Sequence, residues 1–202
     1  MTVNVEFLFD FASPNGYMSH KVIPGIEQRT GASFAYVPIL LGGVFKLTNN
    51  QPPMVQFEGI KNKLEYNRLE SERFIKKHGL TDYNRNPHFP VITVQIMRGA
   101  VAAEMDGYLA EYVEAVFHHM WEAPKKMDEP EVIQAALEES GLDGEKTMAR
   151  IQDQEVKDRL FKNTEEAVER GAFGIPTFFV GKEMFFGKDR LRDVEEEIEA
   201  AK

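Results

Sequence analysis

The chain has 202 residues, of which 43% are apolar, a composition typical of one globular unit and unlike that of a disordered or fibrous chain. It contains no cysteine, which excludes disulfides, thiolate metal sites and a cysteine nucleophile from the protein. The net charge is −9, with 11 basic against 8 acidic side chains in residues 1–100 and 13 against 25 in residues 101–202. Since no basic patch with interleaved aromatic residues is present, we expect neither nucleic acid nor membrane as a partner.

The first part of the chain predicts a strand, a helix and a second strand. Residues 3–9 alternate and are rich in aromatic and β-branched side chains, which indicates a strand. Ser13 followed by Pro14 predicts the start of a helix, and Gly31 predicts its end. Residues 33–40 then form a second strand, which a right-handed crossover places parallel to the first.

The middle of the chain predicts a set of helices. A polar loop at residues 47–53 is followed by apolar residues at spacings of three and four, which are typical of helices. One of these patterns predicts a single long helix whose apolar face includes Met105. The predicted helices are Ile60–His78, Met97–Trp121, Glu131–Ser140 and Gly144–Gln152.

The last part predicts a helix over residues 153–170, a hairpin with a turn at Gly181–Lys182, and a final helix from about Arg190. A β-α-β unit followed, after a helical insert, by α-β-β-α is the order of the thioredoxin fold, an α/β fold with a mixed sheet. We therefore predict a thioredoxin-like domain from residues 1–41 and 153–202. Residues 42–152 form an inserted helical bundle.

Five motifs in this order resemble one enzyme family. They are FDFASP at 9–14, KNKLEY at 61–66, NPHFP at 86–90, GIPTF at 174–178 and GKDRL at 187–191. Together they resemble the 2-hydroxychromene-2-carboxylate isomerases, which are related to kappa-class glutathione transferases and DsbA-type oxidoreductases. The resemblance implies a glutathione-dependent isomerase that converts 2-hydroxychromene-2-carboxylate to trans-o-hydroxybenzylidenepyruvate in aromatic-compound catabolism.

Ser13 is the main candidate for a catalytic residue. Taken alone, it is a helix N-cap, a role worth about 0.5–2 kcal/mol. The same position offers unpaired backbone amides and partial positive charge, which favour an anion. The resemblance places Ser13 where redox members of this fold have a cysteine. It implies that the serine hydroxyl donates to the thiolate of glutathione and lowers the pKa of that thiol.

Two further segments are implied to bind glutathione. An ordinary X-Pro bond is trans, but the resemblance implies a cis bond at Ile175–Pro176 and assigns the backbone there to the cysteinyl part of glutathione. Asp189 could equally be the N-cap of the last helix. The resemblance instead assigns the turn of Gly187, Lys188, Asp189 and Arg190 to the γ-glutamyl end.

The insert is expected to bind a second, aromatic substrate. Lys63 and Tyr66 are three residues apart on one helical face, so both can point into one cleft, with the lysine for a carboxylate and the tyrosine for a ring or hydroxyl. A solvated lysine and a packing tyrosine are the alternatives. The other candidates are Lys46, Asn49, Asn50 and Arg85. The chain has Asn15 and Gly16 where the family has an aromatic residue, a departure that bears on the second substrate more than on glutathione.

A serine hydrolase and a metal site are not expected. His20 lies about 10 Å along the helix from Ser13, beyond hydrogen-bond reach, and the adjacent His118 and His119 diverge by about 100°. Two alternatives stay open, a kappa-like glutathione transferase or peroxidase and a non-catalytic thioredoxin-like binding module. Since the first residues lack a basic segment followed by an apolar one, and apolar helical faces can serve as dimer contacts, we expect a cytoplasmic homodimer.

Overall fold

The computed structural model describes residues 2–202 and contains one mixed sheet. Its strands are β1, Asn4–Phe9; β2, Ser33–Pro38; β3, Thr177–Val180; and β4, Glu183–Phe186. β1 is parallel to β2 and antiparallel to β3, and β4 pairs antiparallel with β3, which gives the order β2-β1-β3-β4. The predicted parallel pair and the predicted hairpin are both confirmed.

Helices connect and cover these strands. α1, Pro14–Thr30, joins β1 to β2, and a 3₁₀ turn at Lys188–Arg190 leads from β4 into α10, Leu191–Ala200. Every regular element between β2 and β3 is a helix. These are α2, Leu41–Thr48; α3, Pro53–Gln56; α4, Lys63–His78; α5, Val94–Asp106; α6, Leu109–Trp121; α7, Pro130–Glu139; α8, Gly144–Arg150; and α9, Gln154–Glu169.

β1 is one of the two inner strands of the sheet, and its residues 7–9 are buried on both faces. Phe7 packs in the larger core, where its ring stacks on Phe178 with centroids 5.2 Å apart. Leu8 points to the opposite face and packs with Val44 of α2 and Ala167 of α9. The sheet therefore has helices on both faces, as the α/β prediction requires.

Local chemistry explains why α1 begins and ends where it does. Ser13 is in the extended region, and its side chain accepts from the amide of Gly16, while Pro14 occupies the first helical position. Gly31 ends the helix with φ +68°, a conformation that costs glycine little, and donates to the carbonyl of Glu27 at 2.8 Å.

The prediction of one helix from Met97 to Trp121 is wrong. Gly107 has φ +85° and its N–H caps the end of α5, after which α6 begins at Leu109. The apolar spacing continues across this break because Val101 and Tyr112 enter the same core from different helices, whereas Met105 is 43% exposed.

The polar loop predicted at residues 47–53 is shorter than expected. Thr48 still belongs to α2, which ends at Asn49 with φ +53°, and Pro53 already begins α3. Both helices are short, and β2 ends at Pro38, two residues before the predicted boundary. Within residues 2–202, no helix is long and apolar enough to cross a membrane.

Candidate functional site

Ser13 forms the turn between β1 and α1. Its amide donates to the carbonyl of Asp10 at 3.1 Å, and its Oγ accepts from the amide of Gly16 at 3.1 Å. A hydroxyl that accepts one hydrogen bond still has a hydrogen to donate. The side chain lies at the positive end of a 17-residue helix, and the residue is 6% exposed. This geometry suits a hydroxyl that serves as the helix N-cap and donates to an anion.

Asp10 joins the Ser13 turn to the start of α2. One carboxylate oxygen accepts from the amide of Ala12 at 2.9 Å, and the other accepts from the amide of Leu41 at 2.8 Å. The side chain is fully buried, and burial raises the pKa of the Asp10 carboxyl although these amides act in the opposite direction. Asp10 belongs to the FDFASP motif, but no role was predicted for it.

Aromatic side chains pack against the same turn. The indole Nε1 of Trp121 donates to the carbonyl of Phe11 at 2.9 Å, which fixes the end of α6 beside the Ser13 turn. Tyr83 stacks on Trp121 at 6.2 Å and lies 5.8 Å from the ring of Tyr17. The contact between Trp121 and Phe11 spans 110 residues, so no local spacing could have indicated it.

The three segments proposed for glutathione lie at one edge of the sheet. Leu8 of β1 pairs with Thr177, the first residue of β3, and Thr177 pairs with Phe186, the last residue of β4. The segments that adjoin these strand ends are residues 10–13, 175–176 and 187–190.

A backbone hydrogen bond connects two of these segments directly. The Ile175–Pro176 peptide bond is cis. The amide of Gly187 donates to the carbonyl of Pro176 at 2.9 Å, and Gly187 has φ +98°, a conformation that favours glycine.

The turn before α10 does not use Asp189 as its N-cap, which was one of the two roles predicted for this residue. Asp189 is not the N-cap of this helix, because the 3₁₀ turn puts Arg190 at that position. The Asp189 carboxylate instead accepts from Lys188 Nζ at 2.6 Å. Lys188 is 3% exposed, and its ammonium lies 4.8 Å from the ring centroid of Phe74. Arg190 pairs with Asp193 at 2.9 Å.

Two cavities lie against α1. The first, of about 340 Å³, is lined by side chains that include His20 and Glu114. The second, of about 390 Å³, lies between α1, α4 and α10 and is lined in part by Lys188 and Asp189. Ser13 lines neither of these two cavities, so it reaches solvent only through its small exposed surface.

A family model described as a DSBA-like thioredoxin domain matches residues 4–199. The chain belongs to the DsbA-like thioredoxin family. This assignment agrees with the sheet order, with the helices on both faces and with the resemblance seen in the sequence motifs.

The curated relatives of the chain carry two kinds of enzyme name. The chain is 27% identical to a 2-hydroxychromene-2-carboxylate isomerase from Pseudomonas putida, over 93% of this chain and 90% of the relative. It is 24% identical to human glutathione S-transferase kappa 1, over 93% of this chain and 87% of the relative. A solved structure of 2-hydroxychromene-2-carboxylate isomerase aligns with a TM-score of 0.83 and 26% identity, covering 98% of this chain and 95% of that chain.

A more distant structure supports the fold alone. A probable DsbA oxidoreductase from Streptomyces coelicolor aligns with a TM-score of 0.73 and 15% identity, covering 99% of this chain and 91% of that chain. The DsbA-like thioredoxin fold therefore extends over the whole described chain, and the curated relatives are enzymes.

The substrate candidates in α2 and just after it lie near the sheet edge or at the surface. Asn50 Nδ2 donates to the carbonyl of Phe173 at 2.8 Å, two residues before the cis peptide bond. Lys46 and Asn49 are exposed, and the backbone of Asn49 ends α2.

Two further substrate candidates, Lys63 and Tyr66, lie on α4. Lys63 Nζ lies 5.0 Å from the ring centroid of Phe57. Tyr66 is 51% exposed and lies against the ion pair of Glu70 and Arg73. Neither Lys63 nor Tyr66 lines either of the two cavities.

Arg85 lies beside the aromatic group at the Ser13 turn. It is exposed and close to Tyr83, whose pKa is raised by burial while the charge of Arg85 acts in the opposite direction. Arg85 is one of the residues proposed to bind a substrate carboxylate. It therefore lies next to the aromatic rings that pack against the Ser13 turn.

His20 is engaged on the other side of α1. Its Nδ1 is hydrogen-bonded to the Tyr36 hydroxyl at 2.8 Å, and its Nε2 to Glu114 at 2.8 Å. His118 pairs with Glu122 at 2.9 Å, whereas His119 is hydrogen-bonded to Ser140 at 3.0 Å. The rings of His118 and His119 lie edge to face with centroids 4.8 Å apart, and each ring has its own hydrogen-bond partner.

Proposed function

We propose that this protein is a glutathione-dependent isomerase of small aromatic carboxylates, with 2-hydroxychromene-2-carboxylate as its substrate. The proposal rests on three segments that lie together at one sheet edge. The Ser13 N-cap, the cis Ile175–Pro176 bond and the Gly187 turn adjoin paired strand ends, and Gly187 is hydrogen-bonded to Pro176.

The residues at this edge fit glutathione. The Ser13 hydroxyl and the first amides of α1 can stabilise a thiolate, because they place a donor and partial positive charge at one point. The backbone of Ile175 can pair with the cysteinyl part of the ligand. In the turn of residues 187–190, the exposed carboxylate of Asp189 can accept from the γ-glutamyl ammonium, and the backbone amides at the start of the last helix can donate to the γ-glutamyl carboxylate.

The chain needs glutathione because it has no thiol of its own. When bound, glutathione supplies a thiolate nucleophile that can add to an electrophilic carbon and leave again, which permits rotation about a carbon–carbon bond. The protein orients the two ligands and stabilises the charge on sulfur.

The second substrate is proposed to bind against the aromatic group that contains Tyr83 and Trp121. Arg85 supports this placement because it supplies positive charge beside those rings for a carboxylate. Asn50 lies at the same sheet edge and can donate to an oxygen atom of the substrate. The surface of the insert is proposed to supply further contacts with this substrate, from Lys46, Asn49, Lys63 and Tyr66.

The test compares turnover and binding. Conversion of 2-hydroxychromene-2-carboxylate to trans-o-hydroxybenzylidenepyruvate is followed by absorbance with no thiol, with glutathione and with S-methylglutathione. We expect turnover with glutathione alone, since the methylated ligand can bind but has no nucleophile. Full activity in thiol-free buffer would contradict the proposal.

A kappa-like glutathione transferase is the second candidate, because the kappa relatives align over 93% of the chain, as the isomerase from Pseudomonas putida does. Conjugation of glutathione to an electrophile, without isomerisation of the chromene, would favour it. If calorimetry detects no glutathione binding, a non-catalytic binding module is supported instead.

We also propose a cytoplasmic homodimer. Support for the dimer comes from large apolar side chains that are 42–55% exposed in one short stretch of the insert. These residues are Met54, Val55, Ile60 and Leu64, and we refer to them as the apolar surface of the insert. The absence of cysteine is compatible with a reducing compartment.

A further inference from the structure

Lys188 is a buried cation in the turn that leads into α10. Its side chain is 3% exposed, although lysine ammonium groups are strongly hydrated and rarely leave water without a partner. Burial of such a group is costly unless an acceptor compensates it. The proposed function uses Asp189 and the backbone amides of this turn, but not this ammonium.

The carboxylate of Asp189 is the ionic partner of Lys188. Lys188 Nζ donates to Asp189 Oδ1 at 2.6 Å, and no other carboxylate in residues 2–202 lies within ion-pair distance of it. The second oxygen of Asp189 accepts no hydrogen bond from the described residues, and this side chain is 67% exposed. The pair therefore presents its negative end to solvent and keeps its positive end inside the protein.

The ring of Phe74 contacts Lys188 from the side of the insert. The ammonium lies 4.8 Å from the centroid of this ring, which is within the range of a cation–π contact. Phe74 is the buried residue of α4. Lys188 is therefore fixed between an aromatic ring of the insert and the exposed carboxylate of Asp189.

The charge of Lys188 also acts on groups other than Asp189. The hydrogen bond from Arg73 is the main cause that lowers the pKa of Glu70, and the charge of Lys188 lowers this pKa further. Burial is the main cause that lowers the pKa of His78, and the charge of Lys188 acts in the same direction. Two titratable groups of α4 are therefore within reach of this charge.

The γ-glutamyl end of glutathione carries an ammonium and a carboxylate on the same carbon atom. In the proposed function the ammonium binds to Asp189, and the carboxylate binds to the amides at the start of the last helix. A carboxylate that binds next to Asp189 is repelled by it unless a cation lies nearby. Lys188 is such a cation, and its burial limits the screening of its charge by solvent.

We propose that Lys188 determines the specificity of the glutathione site for the carboxylate of the γ-glutamyl group. This inference rests on the proposed function and adds the ligand group that Lys188 recognises. Asp189 accepts from the ammonium, and the buried charge of Lys188 attracts the carboxylate without direct contact. The pair of Lys188 and Asp189 is thus complementary in charge to the zwitterionic end of the ligand.

The experiment compares two ligands by calorimetry with the full chain at neutral pH. One is glutathione, and the other is γ-aminobutyryl-cysteinylglycine, which keeps the ammonium and lacks the adjacent carboxylate. The ratio of their dissociation constants measures the preference for the carboxylate. Lys188→Met is expected to reduce this preference about threefold, because an attraction to the carboxylate is lost. Asp189→Asn is expected to increase it about threefold, because a repulsion is lost.

Lys182→Met is the matched control, because Lys182 is an exposed lysine in the turn between β3 and β4, at the far end of β4 from Gly187. Its ratio should equal that of the unaltered protein.

If Lys188→Met does not fold, the double variant with Asp189→Asn replaces it, and its ratio should be about threefold lower than that of Asp189→Asn alone. An unchanged ratio on loss of Lys188, or shifts of the two single variants in the same direction, would overturn the inference and leave the proposed function intact. If the unaltered protein binds no glutathione, the proposed function and this inference both fail.

Discussion

Ser13 is held in position by backbone contacts that do not require its hydroxyl. Its amide donates to Asp10, and its carbonyl accepts from the amide of Tyr17, so the turn can form with another side chain. The hydroxyl adds the cap to Gly16 and, in our proposal, a donor for the glutathione thiolate. The two roles can be separated by measuring stability and thiol ionisation on the same variant.

Ser13→Ala is expected to lower the free energy of unfolding by about 1 kcal/mol and to raise the pKa of bound glutathione. The loss of the cap explains the first effect, and the loss of a donor to the thiolate explains the second. Ultraviolet absorbance of the thiolate against pH, measured as the difference from the protein without glutathione, gives this pKa, and no protein thiol contributes because the chain contains no cysteine.

The matched control is Asp143→Ala, which removes the side-chain cap of α8 at Lys146. It should cost similar stability and leave the thiol pKa unchanged. If Ser13→Ala also leaves that pKa unchanged, Ser13 is a cap only.

At the scale of elements, a polar cluster joins α1 to α6. Glu114 of α6 is hydrogen-bonded to His20 at 2.8 Å and to Lys21 at 2.7 Å. The contact with His20 and then that with Lys21 lower the pKa of Glu114 to about 2, against a smaller opposing effect of burial. Lys21 also pairs with Glu122 at 3.0 Å, so the cluster continues toward the end of α6.

This cluster predicts a loss of stability in acid. A carboxyl whose pKa is lower in the folded protein stabilises it above the ordinary value of 4.5, and that contribution disappears as the pH falls toward 2. Glu114→Gln should lower the free energy of unfolding at pH 7 by at most about 1 kcal/mol, because the side chain is 58% exposed. It should also flatten the dependence of stability on pH below 4.5.

Urea denaturation at several pH values measures both effects. Glu111→Gln is the control, since this exposed glutamate of α6 has no cation within ion-pair distance in residues 2–202. Equal pH profiles for the two variants would show that the cluster contributes nothing.

Local patterns were sufficient to predict the β-α-β start and the final hairpin, because alternation, caps and turn residues act over a few positions. The same patterns missed the break at Gly107, since Val101 and Tyr112 keep helical spacing while belonging to different helices. They also missed Asp10 and Trp121, whose partners Leu41 and Phe11 lie 31 and 110 residues away. Long-range backbone contacts of this kind have no signature in the sequence.

The residues proposed for glutathione and those proposed for the second substrate are positioned by different contacts. The segments proposed for glutathione adjoin one sheet edge because strand pairing aligns their ends. Lys63 and Tyr66 share a helix, but their nearest partners are Phe57 and the Glu70–Arg73 pair. Helical spacing predicts a shared face, whereas the partners of each side chain depend on tertiary packing.

At the scale of the whole molecule, the apolar surface of the insert predicts the oligomeric state. Ile60→Glu puts a charge at a residue that is 55% exposed and should convert the proposed homodimer to a monomer. Light scattering after gel filtration measures the change as a halved molar mass.

Ile92→Glu is the control, because Ile92 is 69% exposed and lies outside that surface, just before α5. Its mass should equal that of the unaltered protein. A monomeric unaltered protein, or a dimer that persists in Ile60→Glu, would contradict the proposed interface.

Because of the two hydrogen bonds that Asp10 accepts, residues 10, 12 and 41 differ in their tolerance of substitution. Ala12 and Leu41 contribute only their backbone amides, so many side chains at those positions preserve the contact, and proline is the substitution that removes the donor. The side chain of residue 10 must accept from two amides with two different oxygens. A carboxylate has two acceptor oxygens, whereas a carboxamide has only one. A library that varies the start of α2 can therefore be broad, whereas one that varies residue 10 loses the link between the Ser13 turn and the insert.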